Sequence, residues 1–110
     1  MSGAQNSTKK YIQQMVERIA TQFQPDKIIL FGSHARGRAG LDSDVDLLVV
    51  MPVSGSRREK AIEIAVTLHD IPLAKDVIVV RPEDFKWRSK IVGTIERPAA
   101  QEGKLLYARK

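Results

Sequence analysis

Three short apolar segments, 27–31 (KIILF), 45–51 (VDLLVVM) and 75–80 (KDVIVV), constrain the fold of this chain more than any other feature. Each is rich in β-branched residues and bounded by turn formers: Pro25-Asp26 and Gly32-Ser33, then Pro52, then Asp70-Ile71-Pro72 and Pro82. Such runs read as buried strands. Side chains alternate along a strand, so Asp44, Asp46, Leu48 and Val50 share one face of the second, and Asp76, Ile78 and Val80 share a face of the third.

Helices fill the spaces between. Tyr11, Ile12, Met15, Val16, Ile19, Ala20 and Phe23 recur at helical spacing, with Ser7 as a predicted N-cap and residues 1–6 as a frayed end. Residues 59–69 form a second predicted helix, after a loop over 54–58, with Ile62, Ala65, Val66 and Leu68 turned to the sheet. Pro82 suits the first turn of a third, with Glu83 and Asp84 at its positive end. Helical character extends to about Gln101 or Glu102, and Pro98 within it predicts a kink or two helices. Gly103 is a helix terminus, and Leu105-Leu106-Tyr107 a short final strand. The order predicts an α/β (α+β) fold, a small mixed sheet covered by helices, in a single domain over 1–110.

A chain of 110 residues has room for one core. With 43% hydrophobic and 28% charged residues, its composition is globular. No apolar run approaches the roughly 20 residues that span a bilayer, and the polar N-terminus lacks the apolar core of a secretion signal. The absence of cysteine excludes disulfides, thiolate metal sites and a cysteine nucleophile, and agrees with a cytoplasmic setting. The net charge of +5 is scattered over Lys9-Lys10, Arg57-Arg58, 86–90 and Arg109-Lys110. It suits a solvated surface as well as an attraction for nucleic acid, an acidic partner or a polyphosphate.

The chemistry-bearing residues lie at strand ends. Gly32-Ser33 directly follows the first strand: an ordinary turn, or a place where backbone and a hydroxyl approach a bulky anion. Asp44 and Asp46, at i and i+2 on one strand face, repel each other unless a cation lies between them. Magnesium takes such oxygen ligands and shares them with phosphates. Asp42 and Asp44 also suit a turn, but Asp46 is nested among Val45, Leu47 and Leu48. Asp76 opens the third strand, either as an edge charge beside Lys75 or, if its strand neighbours the second, as a third carboxylate of a two-metal site.

Taken together, FGSHARGRAGLDSDVDLLVV resembles the signature of the DNA polymerase beta-type nucleotidyltransferases: Gly32-Ser33, ten residues from His34 to Ser43, then Asp44-Val45-Asp46. Ala35-Arg36-Gly37, Ser43-Asp44, Gly93-Thr94 and 102–107 (EGKLLY) are similar to the minimal, stand-alone members. Asp76 falls where that family places its third carboxylate. The resemblance implies that Asp44, Asp46 and Asp76 bind two Mg2+ ions (Mn2+ is also compatible) and that Asp76 helps activate the acceptor hydroxyl. It implies that Gly32 and Ser33 hold the β- and γ-phosphates of a nucleoside triphosphate such as ATP, leaving a nucleotide on the acceptor and releasing pyrophosphate. Arg36 or Arg38 would steady phosphate oxygens, unless simply solvated. His34 reads as a variable loop residue, His69 as a helix cap and Trp87 as packing.

Larger relatives carry an acceptor domain for which this chain has no space, so the acceptor is expected from outside. Minimal nucleotidyltransferases are often paired with a HEPN ribonuclease toxin, and the resemblance implies an antitoxin that transfers AMP to a tyrosine of that partner within a hetero-oligomer. The alternatives are a non-catalytic module that neutralises a partner by binding, or nucleotide transfer to a small molecule or RNA.

Overall fold

The computed structural model describes residues 3–37 and 44–109, with 3–6 described by their backbone alone. Along the chain run α1 (Gly3–Phe23), β1 (Lys27–Phe31), β2 (Val45–Val50), α2 (Arg57–Thr67), β3 (Lys75–Val80), α3 (Pro82–Arg88), α4 (Glu96–Glu102) and β4 (Lys104–Ala108). The strands form one mixed sheet in the order β3-β2-β1-β4. β1 is antiparallel to both β2 and β4, whereas β2 and β3 are parallel, joined through α2. Among the described residues, no helix is long and apolar enough to cross a membrane.

The sheet lies between two apolar layers. On one face Ile28, Leu30, Val45, Leu47, Val49 and Val79 pack with Met15 and Ile19 of α1 and Ile64 of α2. On the other, Ile29, Leu48, Val50 and Val80 pack with Ala99 of α4 and Phe85 of α3. Strand alternation therefore puts Asp46 and Asp76 on the α3–α4 face, in line with Leu48, Val50 and Val80.

The helices depart from sequence expectation in identifiable ways. α1 starts at Gly3, one turn before Ser7, so Ser7 lies within the helix and does not cap it. Its apolar stripe is as predicted, with Met15 and Ile19 fully buried. α2 begins at Arg57 because the Ser56 hydroxyl accepts the Glu59 N–H at 3.1 Å, a cap that moves the start two residues earlier. Its inward face is Ala61, Ile64 and Leu68, whereas Ile62 and Val66 are 54% and 61% exposed. With roughly 100° of rotation per residue, a helix that points Ile64 and Leu68 inward turns Ile62 and Val66 to solvent.

The third helical region is two helices. The break falls at 89–95, where Gly93 has φ +96°, and not at Pro98, which the first turn of α4 accommodates. The connector is held by polar contacts: the Thr94 hydroxyl donates to the Arg88 carbonyl at 2.7 Å, and Arg88 Nε lies 3.1 Å from the buried Glu96 carboxylate. Trp87, expected to pack, is 53% exposed on the outer side of α3, because Phe85 takes the inward position. Gly103 ends α4 as predicted, donating its N–H to the Ala99 carbonyl at 3.0 Å. A β-carbon there would collide with the Ala99 carbonyl and lie 2.6 Å from Ile29 Cγ2 and 3.0 Å from the Leu30 carbonyl. Gly103→Ala is accordingly expected to destabilise the fold by about 1–3 kcal/mol, as measured by urea unfolding.

Candidate active site

Gly32 leaves β1 with φ +76°, in the left-handed region that favours glycine. Its dihedral calls for glycine, and a β-carbon on it would in addition force the Asp46 carboxylate, whose Oδ2 lies in that space, to move. Ser33 follows, half-buried, at the start of a turn over 33–37 in which the Arg36 N–H donates to the Gly32 carbonyl at 3.2 Å. That turn places a short bend of backbone beside the first residues of β2.

The register of the sheet assembles the acids. Phe31 pairs with Asp46 across β1 and β2, and Asp46 pairs with Asp76 across β2 and β3. Asp44 precedes Asp46 by two positions and is exposed. Burial pushes the Asp46 carboxyl above the ordinary carboxylate range, and the charges of Asp76 and then Asp44 push it further. His34 opposes this, which gives the loop histidine an electrostatic part that its sequence position did not suggest.

Lys75 does not serve as Asp76's counter-ion. Its ammonium donates to the carbonyls of Ile71 and Leu73 at 2.8 and 3.0 Å, and Asp76 stands exposed at the mouth of the edge strand. Arg36 is exposed and lies 3.5 Å from Glu102 at the end of α4, a contact that nothing in the sequence signalled. Arg38, Asp42 and Ser43 fall outside the described residues. α2 ends at Thr67 with Leu68 as its C-cap, two residues before the predicted end at His69, whose ring still closes the helix as a cap, with Nδ1 2.8 Å from the Val66 carbonyl.

Among the described residues, no group of three or more His, Cys, Asp or Glu side chains is placed to hold a metal ion. The donor chemistry nevertheless fits a divalent cation. Positive charge beside Asp46 would relieve the repulsion that Asp76 and Asp44 exert on it, and magnesium takes few protein ligands when substrate phosphates complete its shell.

The sequence matches the family of nucleotidyltransferase domains over residues 12–106. This chain belongs to that family. Among solved structures it is similar to a candidate nucleotidyltransferase from Sulfolobus solfataricus, with a TM-score of 0.68 and 22% identity over 99% of this chain and 90% of that one. It is also similar to a toxin–antitoxin complex with AMP-PNP (TM-score 0.55, 21% identity, 89% and 74% of the two chains). A third similarity is to a mutant of the MntA–HpeT toxin–antitoxin carrying two Asp→Glu changes (TM-score 0.55, 19% identity, 88% and 73%). At these identities the likeness is one of fold. No curated protein matches the sequence significantly.

Two outcomes follow from the crowding at Asp46 in this nucleotidyltransferase domain. A carboxyl whose folded pKa lies above its unfolded value lends stability below the unfolded pKa and loses it as pH rises through the folded one. Asp46→Asn is therefore expected to raise Tm at pH 7 in chelator and to shrink that gain in acid. Added Mg2+ should raise the Tm of the parent chain but not of the variant. A Tm at pH 7 unchanged or lowered by the substitution would contradict the electrostatic picture. Gly32→Ala is expected to cost about 1–3 kcal/mol of stability from its dihedral alone, together with loss of nucleotide binding by calorimetry.

Proposed function

We propose that this chain is a divalent-metal-dependent adenylyltransferase that moves AMP from ATP to a tyrosine hydroxyl of a HEPN-type toxin, and so acts as its antitoxin in the cytoplasm. The observation that carries the reading is the placement of Asp46 against Gly32 and in register with Asp76. Asp44, Asp46 and Asp76 would hold two Mg2+ ions, or Mn2+, whose carboxylate chemistry is alike. Bound there, the ions supply neutralisation of the triphosphate's charge.

The chain's own residues account for the remaining steps. Gly32, lacking a side chain, lets the β- and γ-phosphates approach the backbone of the 32–37 turn, and the Ser33 hydroxyl donates to a phosphate oxygen. The exposed Arg36–Glu102 pair at 3.5 Å is weak enough for the guanidinium to exchange Glu102 for a phosphate. The Asp76 carboxylate takes the proton of the acceptor hydroxyl. The acceptor oxygen then bonds to the α-phosphorus as the bond to pyrophosphate breaks. Positioning and electrostatics supply most of the rate, as in other phosphoryl transfers.

An outside acceptor and a toxin partner are supported by the motif's resemblance to minimal members and by the fold shared with toxin–antitoxin complexes. One observation favours a second reading, neutralisation by binding alone: Trp87, Ile91, Val92 and Ile95 stand exposed along one segment.

Incubation of the chain with α-labelled ATP, Mg2+ and a HEPN-type partner is expected to label a partner tyrosine. Joint replacement of Asp44 and Asp46 by asparagine is expected to reduce labelling at least about a hundredfold. Absence of label on the partner would sink the reading, and label confined to an RNA or metabolite would replace it. Toxin neutralisation that survives the double substitution would favour the binding module.

A further inference from the structure

β3 is a terminal strand of the sheet, and its outer edge is open among the described residues. Two hydrogen bonds settle which backbone groups lie there. The Ala74 carbonyl accepts from the Val45 N–H at 2.8 Å, and the Val80 carbonyl accepts from the Met51 N–H at 3.0 Å. Residues of a strand face its two edges alternately, so 74, 76, 78 and 80 address β2. Val77 and Val79 turn their N–H and C=O groups outward.

Along this edge runs an open groove of about 460 Å³, lined by Ser56, Arg57, Arg58 and Ala61 of α2 and its cap, and by 77–79 of β3. Its two ends differ in charge. Arg81, following β3, donates to the Val53 and Gly55 carbonyls, so the start of α2 with Arg57 and Arg58 sits at the Val79 end. The other end lies at Val77, and the next residue along the strand is Asp76 of the acid cluster, its side chain on the opposite face of the sheet.

We infer that an extended segment of the acceptor protein adds to the open edge of β3 as a further strand, bringing its hydroxyl residue beside Asp76 and an acidic residue beside Arg57 and Arg58. The inference rests on the adenylyltransferase reading above. Strand addition gives main-chain hydrogen bonds from Val77 and Val79, and specificity from alternate side chains. Parity then sets a rule for the acceptor. Asp76 points to the α3–α4 face of the sheet, and α2 covers the other. A residue beside Asp76 and one beside the arginines must therefore project to opposite faces. Opposite faces mean an odd separation, and the span from Asp76 to Val79 makes it three residues.

Synthetic nonapeptides with one tyrosine, and one glutamate either two or three residues from it on either side, test this with the full chain, Mg2+ and α-labelled ATP. Spacing three is expected to lower the KM for tyrosine labelling on the order of tenfold relative to spacing two. Binding of that peptide is expected to slow hydrogen exchange at Val77 and Val79. Arg57→Glu with Arg58→Glu, exposed positions in a helix's first turn where glutamate is well tolerated, should shift the preference to lysine at the same spacing. Equal KM values at both spacings, or a preference unmoved by the charge reversal, would overturn the inference. Label on a HEPN-type partner but on no peptide would overturn strand docking and leave the adenylyltransferase reading standing. Label on neither would end both. Protection of Val77 and Val79 that grows with protein concentration alone, with a dimer by light scattering, would assign the edge to a second copy.

Discussion

The Asp46 carboxylate occupies the space a β-carbon would need at Gly32, and the site is built around that contact. It brings the backbone turn after β1 against the first acid of β2 with no intervening side chain. It also commits a partly buried carboxyl to a place where two further acids repel it. Such an arrangement disfavours the ionised form in the isolated protein and favours whatever cation restores balance, a pattern that marks functional sites more than structural ones.

Sheet direction makes the cluster possible. Because β2 and β3 are parallel and in register, their N-terminal ends meet at one edge, and Asp46 falls opposite Asp76. Had the strands been antiparallel, acids at both N-terminal ends would lie about a strand length apart, on the order of 20 Å for six residues. The parallel pairing in turn depends on α2, which with its buried Ile64 and its buried C-cap Leu68 carries the chain back across the sheet.

The opposite layer is organised differently. The α3–α4 connector is held by the Thr94 hydroxyl, the Arg88–Glu96 pair and Arg97, which donates to the Lys90 carbonyl at 3.2 Å. Glu96 is nearly inaccessible, so its charge depends on Arg88 for compensation. With polar groups fixing the backbone, Ile91, Val92 and Ile95 are not drawn into the core. Helical spacing around Trp87 could not reveal this, because the inward position had a competing aromatic, Phe85, two residues away.

Local sequence determined the first three strands, whose apolar runs and flanking turn residues place β1 and β3 at their observed bounds and β2 within one residue of them. It also determined the buried stripe of α1 and the spacing from Gly32-Ser33 to Asp44 and Asp46, since each depends on neighbours along the chain. Tertiary structure alone decided which helix faces met the sheet, where α3 gave way to α4, and that Asp76 came to lie beside Asp46. Pairing between strands separated by a helix is set by burial of whole faces, and no residue within KDVIVV records which strand will be its neighbour.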